Sequence, residues 1–417
     1  MGLLVQKFGG TSVATPERIR HVARRIADRY HGGHRVIVVV SAMGHTTDQL
    51  IELARQVTAQ PPRRELDMLL STGEQVSIAL VAMALQDMGV PAISLTGSQV
   101  GIQTDGVFTR ARIRRISTAR LHQELDAGRV VVVAGFQGVT ESMDITTLGR
   151  GGSDTTAVAL AAAIQADECE IYTDVDGVYT ADPRVVPSAR LLPVISYGEM
   201  LEMASLGAVV LQPRSVELAA QYGVVIHVRS SFHDREGTRV VAEANLEKAM
   251  VVTGVTHDRN VAKIVIIDVP DRPGVAHRLF SELAALGINV DMIVQTAKQQ
   301  HTTDLLFTVA RTDLDQTLAI VRRVASELGT DDVRHDATVG KVSIVGAGMV
   351  SNPGVAARMF GALAAEGINI QAISTSEIKV SCLIDEQHLD RAVRAVHDAF
   401  GLGAHEAESE AVEASQA

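Results

Sequence analysis

The chain has 417 residues, too many for one ordinary hydrophobic core, so at least two domains are expected. A formal charge of −11 without a basic stripe argues against nucleic acid as the partner, and two cysteines, Cys169 and Cys382, define neither a disulfide framework nor a metal site. Apolar runs such as Val36–Val40 and Ala157–Ile164 are too short to span a bilayer and the N-terminus lacks a signal-peptide pattern, so a cytoplasmic location is expected.

From the N-terminus, a short apolar strand (Leu3–Val5) runs into Lys7-Phe-Gly-Gly-Thr-Ser12. A helix starts at Thr15-Pro16-Glu17, where a capping hydroxyl precedes proline and an acid in the first turn. Arg35–Ser41 reads as a buried strand, with helix from about Thr47; Glu74–Met88 reads as a helix ended by Gly89. Gly97–Arg112 has turn residues and alternation and reads as a hairpin excursion. Arg129–Ala134 is a strand, Ser153–Ala166 a helix, Glu170–Thr173 a strand, and Val224–Val228 the last strand of this domain. Continuous apolar strands separated by helices predict an α/β domain with a mostly parallel sheet covered on both faces.

The polar stretch around His233–Lys248 marks a boundary. Beyond it, Pro273–Ile293 aligns without gaps on Pro353–Ile373, with roughly 13 of 21 positions identical. Each copy reads strand, Pro-Gly turn, amphipathic helix, Gly-Ile-Asn, strand. Further strands at Asp304–Val309 and Lys379–Leu383, with helices near Leu314–Leu328 and Leu389–Phe400, complete a ferredoxin-like βαββαβ pattern twice. Residues 401–417 alternate acids with small residues and are expected to be disordered.

Five motifs carry chemistry. Lys7, Gly9 and Gly10 join a cation to a glycine turn and a helix start, which makes a phosphate cradle. Ser41-Ala-Met-Gly-His-Thr-Thr47 ends a buried strand, the edge at which open α/β sheets bind ligands. In Ser71-Thr-Gly-Glu74 an acid opens a helix and is placed to grip a substrate ammonium. In Leu148-Gly-Arg-Gly-Gly-Ser-Asp154, Arg150 suits a carboxylate, the N–H groups of Gly151 to Ser153 suit phosphate, and Asp154 suits Lys7 or Mg²⁺. Thr173-Asp174-Val-Asp176-Gly-Val-Tyr179-Thr-Ala-Asp182-Pro-Arg184 is a polar loop suited to a ribose and base.

Together these motifs and the two C-terminal repeats resemble the aspartokinase family over about residues 1–400. The resemblance implies a three-layer amino-acid-kinase fold with a mostly parallel central sheet (1–249), followed by two ACT domains. The first (264–339) is expected to be inserted into the second (250–263 plus 340–400). It implies phosphorylation of the side-chain carboxylate of L-aspartate by ATP with Mg²⁺, giving 4-phospho-L-aspartate, the step that opens lysine, methionine, threonine and isoleucine biosynthesis.

Carried onto this sequence, the family pattern puts Lys7, Gly9, Gly10 and Ser153 at the phosphates, with Thr173, Asp174, Tyr179, Asp182 and Arg184 around the rest of ATP. It puts Ser41, Thr47, Glu74, Arg150 and Asp154 around aspartate, with Lys7, Glu74 and Asp154 in the catalytic set. Lysine or threonine would act as feedback effectors at Asp271, Gly274, Ala276, Asn289 and Gln295 of the first repeat and at Asn352, Gly354, Val355, Asn369 and Ile370 of the second. A homo-oligomer, or a hetero-oligomer with a regulatory-only subunit started near Met250, is expected. Two departures stand out: Val209 replaces a lysine frequent in relatives, and Thr296 replaces an asparagine after Gln295.

A carboxylate nucleophile is already ionised at neutral pH, so the reaction needs positioning and charge compensation rather than a general base. Two other readings are another amino-acid kinase, acting on glutamate or N-acetylglutamate, and a catalytically dead amino-acid sensor. An N-acetylated substrate would leave Glu74 unpaired, and intact Lys7, Glu74, Arg150 and Asp154 argue against decay.

Overall fold

A computed structural model describes residues 2–208, 210–242, 250–297 and 302–403. The expectations about Val209 and about residues 404–417 of the tail lie outside the described residues, while residues 401–403 correct the expected disorder, since Leu402 is buried in a core and Gly403 bridges to Ala189. The chain forms two compact units: residues 1–178, 191–205 and 209–247, and residues 179–190, 206–208 and 248–417.

The first unit is built on an eight-stranded sheet. Its strand order is Val194–Ser196, Thr238–Val241, Ile226–Ser230, Glu168–Thr173, Leu3–Phe8, Arg35–Val40, Val130–Ala134 and Ala92–Leu95. All pairings are parallel except that of Ile226–Ser230 with Thr238–Val241. The central strands are valine- and isoleucine-rich and buried throughout, as a sheet covered on both faces requires. Thr15 caps the first long helix, Pro16–His31, by accepting from Arg18 N–H at 3.3 Å. That helix and Thr72–Asp87 bury Val22, Ile26, Val81 and Leu85 against the strands, forming one apolar core.

One local expectation of this unit needs correction, and two further elements appear that the sequence pattern did not predict. Ile226–Ser230 is not the last strand, because Thr238–Val241 returns antiparallel to it within the polar stretch 233–248, at whose end the first unit gives way to the second. A helix at Arg63–Leu70, after Pro61-Pro62, runs end to end into Thr72–Asp87. The Gly97–Arg112 excursion begins with a helical turn, Gly97–Val100, closed by a Thr96–Gln99 capping box. Its antiparallel partners, Ile102–Thr104 and Ile113–Ile116, join Gln137–Val139 and Ile145–Thr147 in a small sheet. Residues 63–87 are long and apolar enough by length and composition to cross a membrane, but half of that stretch is buried inside the fold.

The second unit holds two four-stranded antiparallel sheets. One has the order Val290–Ala297, Thr302–Ala310, Val261–Pro270, Val333–Asp336; the other has the order Gly254–Asp258, Val339–Val345, Lys379–Asp385, Ala372–Thr375. The first follows the βαββαβ chain order, the second reaches the same strand arrangement, and the repeat helices Val275–Ala285 and Val355–Ala365 bury equivalent residues, Leu279 and Leu283 in one and Met359 and Leu363 in the other. The second sheet takes its edge strand, Gly254–Asp258, from a segment that precedes the whole first sheet.

Candidate active site

Nine of the expected residues line one cavity of about 1150 Å³ in the first unit: Lys7, Gly9, Gly10, Ser41, Thr47, Glu74, Arg150, Ser153 and Asp154. They converge because parallel strands end together. Leu3–Phe8 and Arg35–Val40 pair in register, so Lys7 and the Ser41 turn emerge at the same carboxyl edge. Helices Thr46–Val57, Thr72–Asp87 and Gly152–Ile164 each give the cavity a residue of their first turn, at the positive end of the helix dipole.

Lys7 Nζ lies 2.6 Å from Asp154 Oδ1, and both side chains are largely buried. The ion pair spans the strand end and the helix start, which fixes a single ammonium group between the two glycine turns. Gly10 allows the close approach of the Ala42–Gly44 turn: a Cβ there would come within 2.8 Å of the Ala42 carbonyl oxygen. Gly151 has φ +67°, and a Cβ on it would overlap Gln212, 1.9 Å from Cγ. This glycine is therefore required both by conformation and by space.

Glu74 is 2 % exposed. One carboxyl oxygen, Oε1, accepts from Ala42 N–H at 3.2 Å, whereas buried Oε2 has no hydrogen-bond partner. Burial pushes the Glu74 carboxyl up to about 7, against the weaker opposing effect of backbone hydrogen bonds. A buried, half-satisfied carboxylate facing a cavity is suited to a ligand cation. Arg150 is exposed at the cavity rim and makes no ion pair among the described residues.

The fifth motif separates from this cavity's lining. Thr173 ends its strand, accepting from Ser231 N–H at 2.8 Å and donating to Asp174 at 3.1 Å. Tyr179, Asp182 and Arg184 belong to the segment Tyr179–Arg190 of the second unit, where Arg184 closes on Asp182 at 2.7 Å.

Residues that sequence reasoning missed also line the cavity: Arg55, Arg63, Arg110, Phe136, Gln212 and Arg214. Phe136 was findable, since it follows the buried strand Val130–Ala134 at the ligand-binding edge. Arg55, Arg63 and Arg110 lie in no recognisable motif, whereas Gln212 and Arg214 end the segment Gly207–Arg214 in which Val209 replaces the lysine frequent in relatives. Arg214 donates to the carbonyls of Leu148 and Ala111, each at 3.0 Å. Its burial, together with nearby Arg112, lowers its pKa from the ordinary value.

Among the described residues, one group of side chains stands close enough together to hold a metal: Glu168, Glu170 and His227, at the opposite, amino end of the strands. It suits no cation, because Arg239 and His227 engage Glu168, while Arg29 and Arg229 engage Glu170.

In the second unit, a cavity of about 350 Å³ is lined by Asp271, Gly274, Ala276 and Gln295 of the first repeat, with Arg272 and Thr303. Gly274 (φ +96°) and Gly354 (φ +94°) turn the chain identically into their helices. Val355 opens the second of these helices. Asn352 donates to the Gly348 carbonyl at 2.8 Å, Asn289 and Asn369 are exposed just before or after the following turn, and Ile370 is half-buried.

Comparison with known proteins agrees with this architecture. The amino acid kinase family model matches residues 2–230, and ACT-domain models match 263–329 and 342–400. The aspartate kinase Ask_LysC of Stutzerimonas stutzeri is 55% identical over 406 residues, covering 97% of this chain and 98% of the relative. The crystal structure of aspartate kinase from Synechocystis is 50% identical, with TM-score 0.55, covering 97% of this chain and 70% of that one. The structure of E. coli aspartokinase III is 26% identical, with TM-score 0.81, covering 96% of this chain and 100% of that one. The chain thus belongs to the aspartokinases, amino acid kinases that carry two ACT domains.

Proposed function

We infer that the protein transfers the terminal phosphoryl group of ATP to the side-chain carboxylate of L-aspartate, giving 4-phospho-L-aspartate and ADP, the first step towards lysine, methionine, threonine and isoleucine. The observation that carries this reading is the cavity's charge pattern. A buried acid with a free oxygen (Glu74) and an unpaired guanidinium (Arg150) call for an ammonium and a carboxylate on one small molecule, beside a lysine held between two glycine turns. E. coli aspartokinase III, solved with aspartate and ADP, has the same fold.

In this reading Glu74 holds the substrate ammonium and Arg150 its α-carboxylate, with Ser41 and Thr47 alongside. The side-chain carboxylate is left as the nucleophile. Its oxygen attacks the γ-phosphorus, the bond from phosphorus to the ADP oxygen breaks, and the charge on the departing diphosphate is met by Lys7 and the N–H groups of Gly9, Gly10 and Ser153. Asp154 keeps the Lys7 ammonium in place. Thr173, Asp174, Tyr179, Asp182 and Arg184 are proposed for the remainder of the nucleotide. Asp154 is also the carboxylate suited to Mg²⁺, a cation that prefers a few protein oxygens plus phosphates and would supply charge neutralisation there.

The ACT domains are read as feedback sensors for lysine or threonine. The cavity at Asp271, Gly274, Ala276 and Gln295 supports this, with Asn289 proposed beside it and Asn352, Gly354, Val355, Asn369 and Ile370 as the counterpart in the second repeat. E. coli aspartokinase III has been solved with lysine and aspartate. The expected domain limits, with residues 264–339 inserted between 250–263 and 340–400, accord with the pairing of Gly254–Asp258 with Val339–Val345. Assembly as an oligomer and a cytoplasmic location complete the proposal.

Trapping the acyl phosphate with hydroxylamine tests the activity. Aspartate with MgATP should give hydroxamate, whereas glutamate and N-acetylglutamate should not. Absence of signal with aspartate would favour the amino-acid sensor.

A further inference from the structure

Two loops frame the amino-acid end of the cavity, Thr109–Ala111 and Thr147–Arg150, and one buried acid holds both. Asp67, 0 % exposed, accepts from Thr109 N–H at 2.8 Å, Thr147 N–H at 2.9 Å and the Thr147 hydroxyl at 2.6 Å. Ala111 N–H donates to the Thr147 carbonyl at 2.9 Å, and Arg214 ties Ala111 to Leu148 from the other side.

Thr109 has φ +70°, a conformation that a β-branched residue rarely adopts. Strain of this kind persists where surrounding bonds enforce it, and it recurs at functional sites. Here it carries the next residue, Arg110, against Gly149, whose own φ is +77°. A Cβ on Gly149 would stand 3.1 Å from the Thr109 carbonyl and 4.0 Å from Arg110 Cγ. Arg110 lines the cavity and, like Arg150, makes no ion pair among the described residues.

We propose that Arg110 is a second guanidinium for the α-carboxylate of the amino-acid substrate, and that Asp67 is the positioning residue that sets Arg110 and Arg150 side by side. The inference rests on the aspartate-kinase reading and deepens it. The amino-acid side is favoured over the phosphates because Asp67 lies on the helix Arg63–Leu70, which runs directly into Thr72–Asp87 and Glu74. The acid that would hold the ammonium and the two loops that would hold the carboxylate are thereby fixed to one piece of structure. Two guanidiniums satisfy more of a carboxylate's acceptor sites than one and would sharpen selection for a free α-carboxylate.

The test compares full-length wild type, Arg110→Ala, Arg110→Lys and Asp67→Asn in the hydroxamate assay, varying aspartate and ATP separately and using the α-amide of aspartate as a second acceptor. Loss of a charged hydrogen bond should raise KM for aspartate about ten- to a hundredfold in Arg110→Ala, leaving KM for ATP unchanged. The preference for aspartate over its α-amide should shrink by the same factor, and Arg110→Lys should recover part of it. Asp67→Asn should raise KM for aspartate alone. A merely structural role for Asp67 would instead lower Tm and shift both KM values together.

An unchanged preference in Arg110→Ala overturns the proposal, even if Asp67→Asn fails to fold. Failure of wild type to use aspartate at all would instead overturn the underlying functional reading.

Discussion

Lowering the pH from about 8 to about 6 should weaken aspartate binding through Glu74. Its carboxyl, raised by burial to about 7, is about nine-tenths ionised at the upper pH and about one-tenth at the lower. Enzyme competent to receive an ammonium therefore falls nearly tenfold, and the apparent KM for aspartate rises by about the same factor. The substrate's own carboxylates titrate well below this window, so the change belongs to the protein. Turnover at saturating aspartate should move little, because a bound ammonium favours the ionised acid.

The same shift acts on stability, and its sign is fixed. The ordinary value is 4.5, so between about 4.5 and about 7 the folded protein keeps a proton that the unfolded chain has lost. The contribution of Glu74 to the stability of the free enzyme thus falls as pH rises through that window and is level above it, a difference on the order of 3 kcal/mol. Glu74→Gln retains the volume and an acceptor for Ala42 N–H but cannot ionise. It should show a raised KM for aspartate with no dependence on pH in this range, and greater stability than wild type at pH 8. Steady-state hydroxamate kinetics and urea denaturation at constant ionic strength measure both. Parallel KM–pH curves for wild type and Glu74→Gln would refute the assignment.

Lys7→Ala should lower kcat by roughly 10²–10³ while leaving KM for aspartate nearly intact, read by coupled ADP release. Gly151→Ala forces a side chain into Gln212 at a left-handed position and should cost on the order of 1–3 kcal/mol of stability, visible as a lower Tm, together with weaker ATP binding. Asp271→Ala should abolish or weaken lysine or threonine binding in equilibrium dialysis without changing uninhibited turnover; unaltered binding would remove the first-repeat cavity as the effector site.

The parts of this architecture that could be read from the sequence rest on local chemistry. Thr15-Pro16 marks a helix start because a capping hydroxyl and a fixed φ act within one turn. Val36–Val40 is unmistakable because a strand buried on both faces needs no polar alternation. The repeats were legible because the same apolar spacing occurs twice. The rest depended on distant partners. Val194–Ser196 is three residues long and is a strand only because Thr238–Val241 lies beside it. Tyr179–Arg190 follows a nucleotide-like motif in sequence, yet belongs with the second unit through bonds to residues far along the chain. Arg110 carries no motif; what distinguishes it is a neighbour's backbone angle, enforced by an aspartate more than 40 positions earlier.

The placement of Tyr179–Arg190 has a consequence for any shorter product of the same gene. A polypeptide begun near Met250 would keep every strand of both four-stranded sheets, since the earliest of them starts at Gly254. It would lose Thr180, whose carbonyl accepts from Val255 N–H at 2.7 Å and whose hydroxyl meets the wholly enclosed His397 at 3.0 Å. Such a truncated chain would be complete in topology but bare along one seam, with Val255 N–H and His397 deprived of their Thr180 partners.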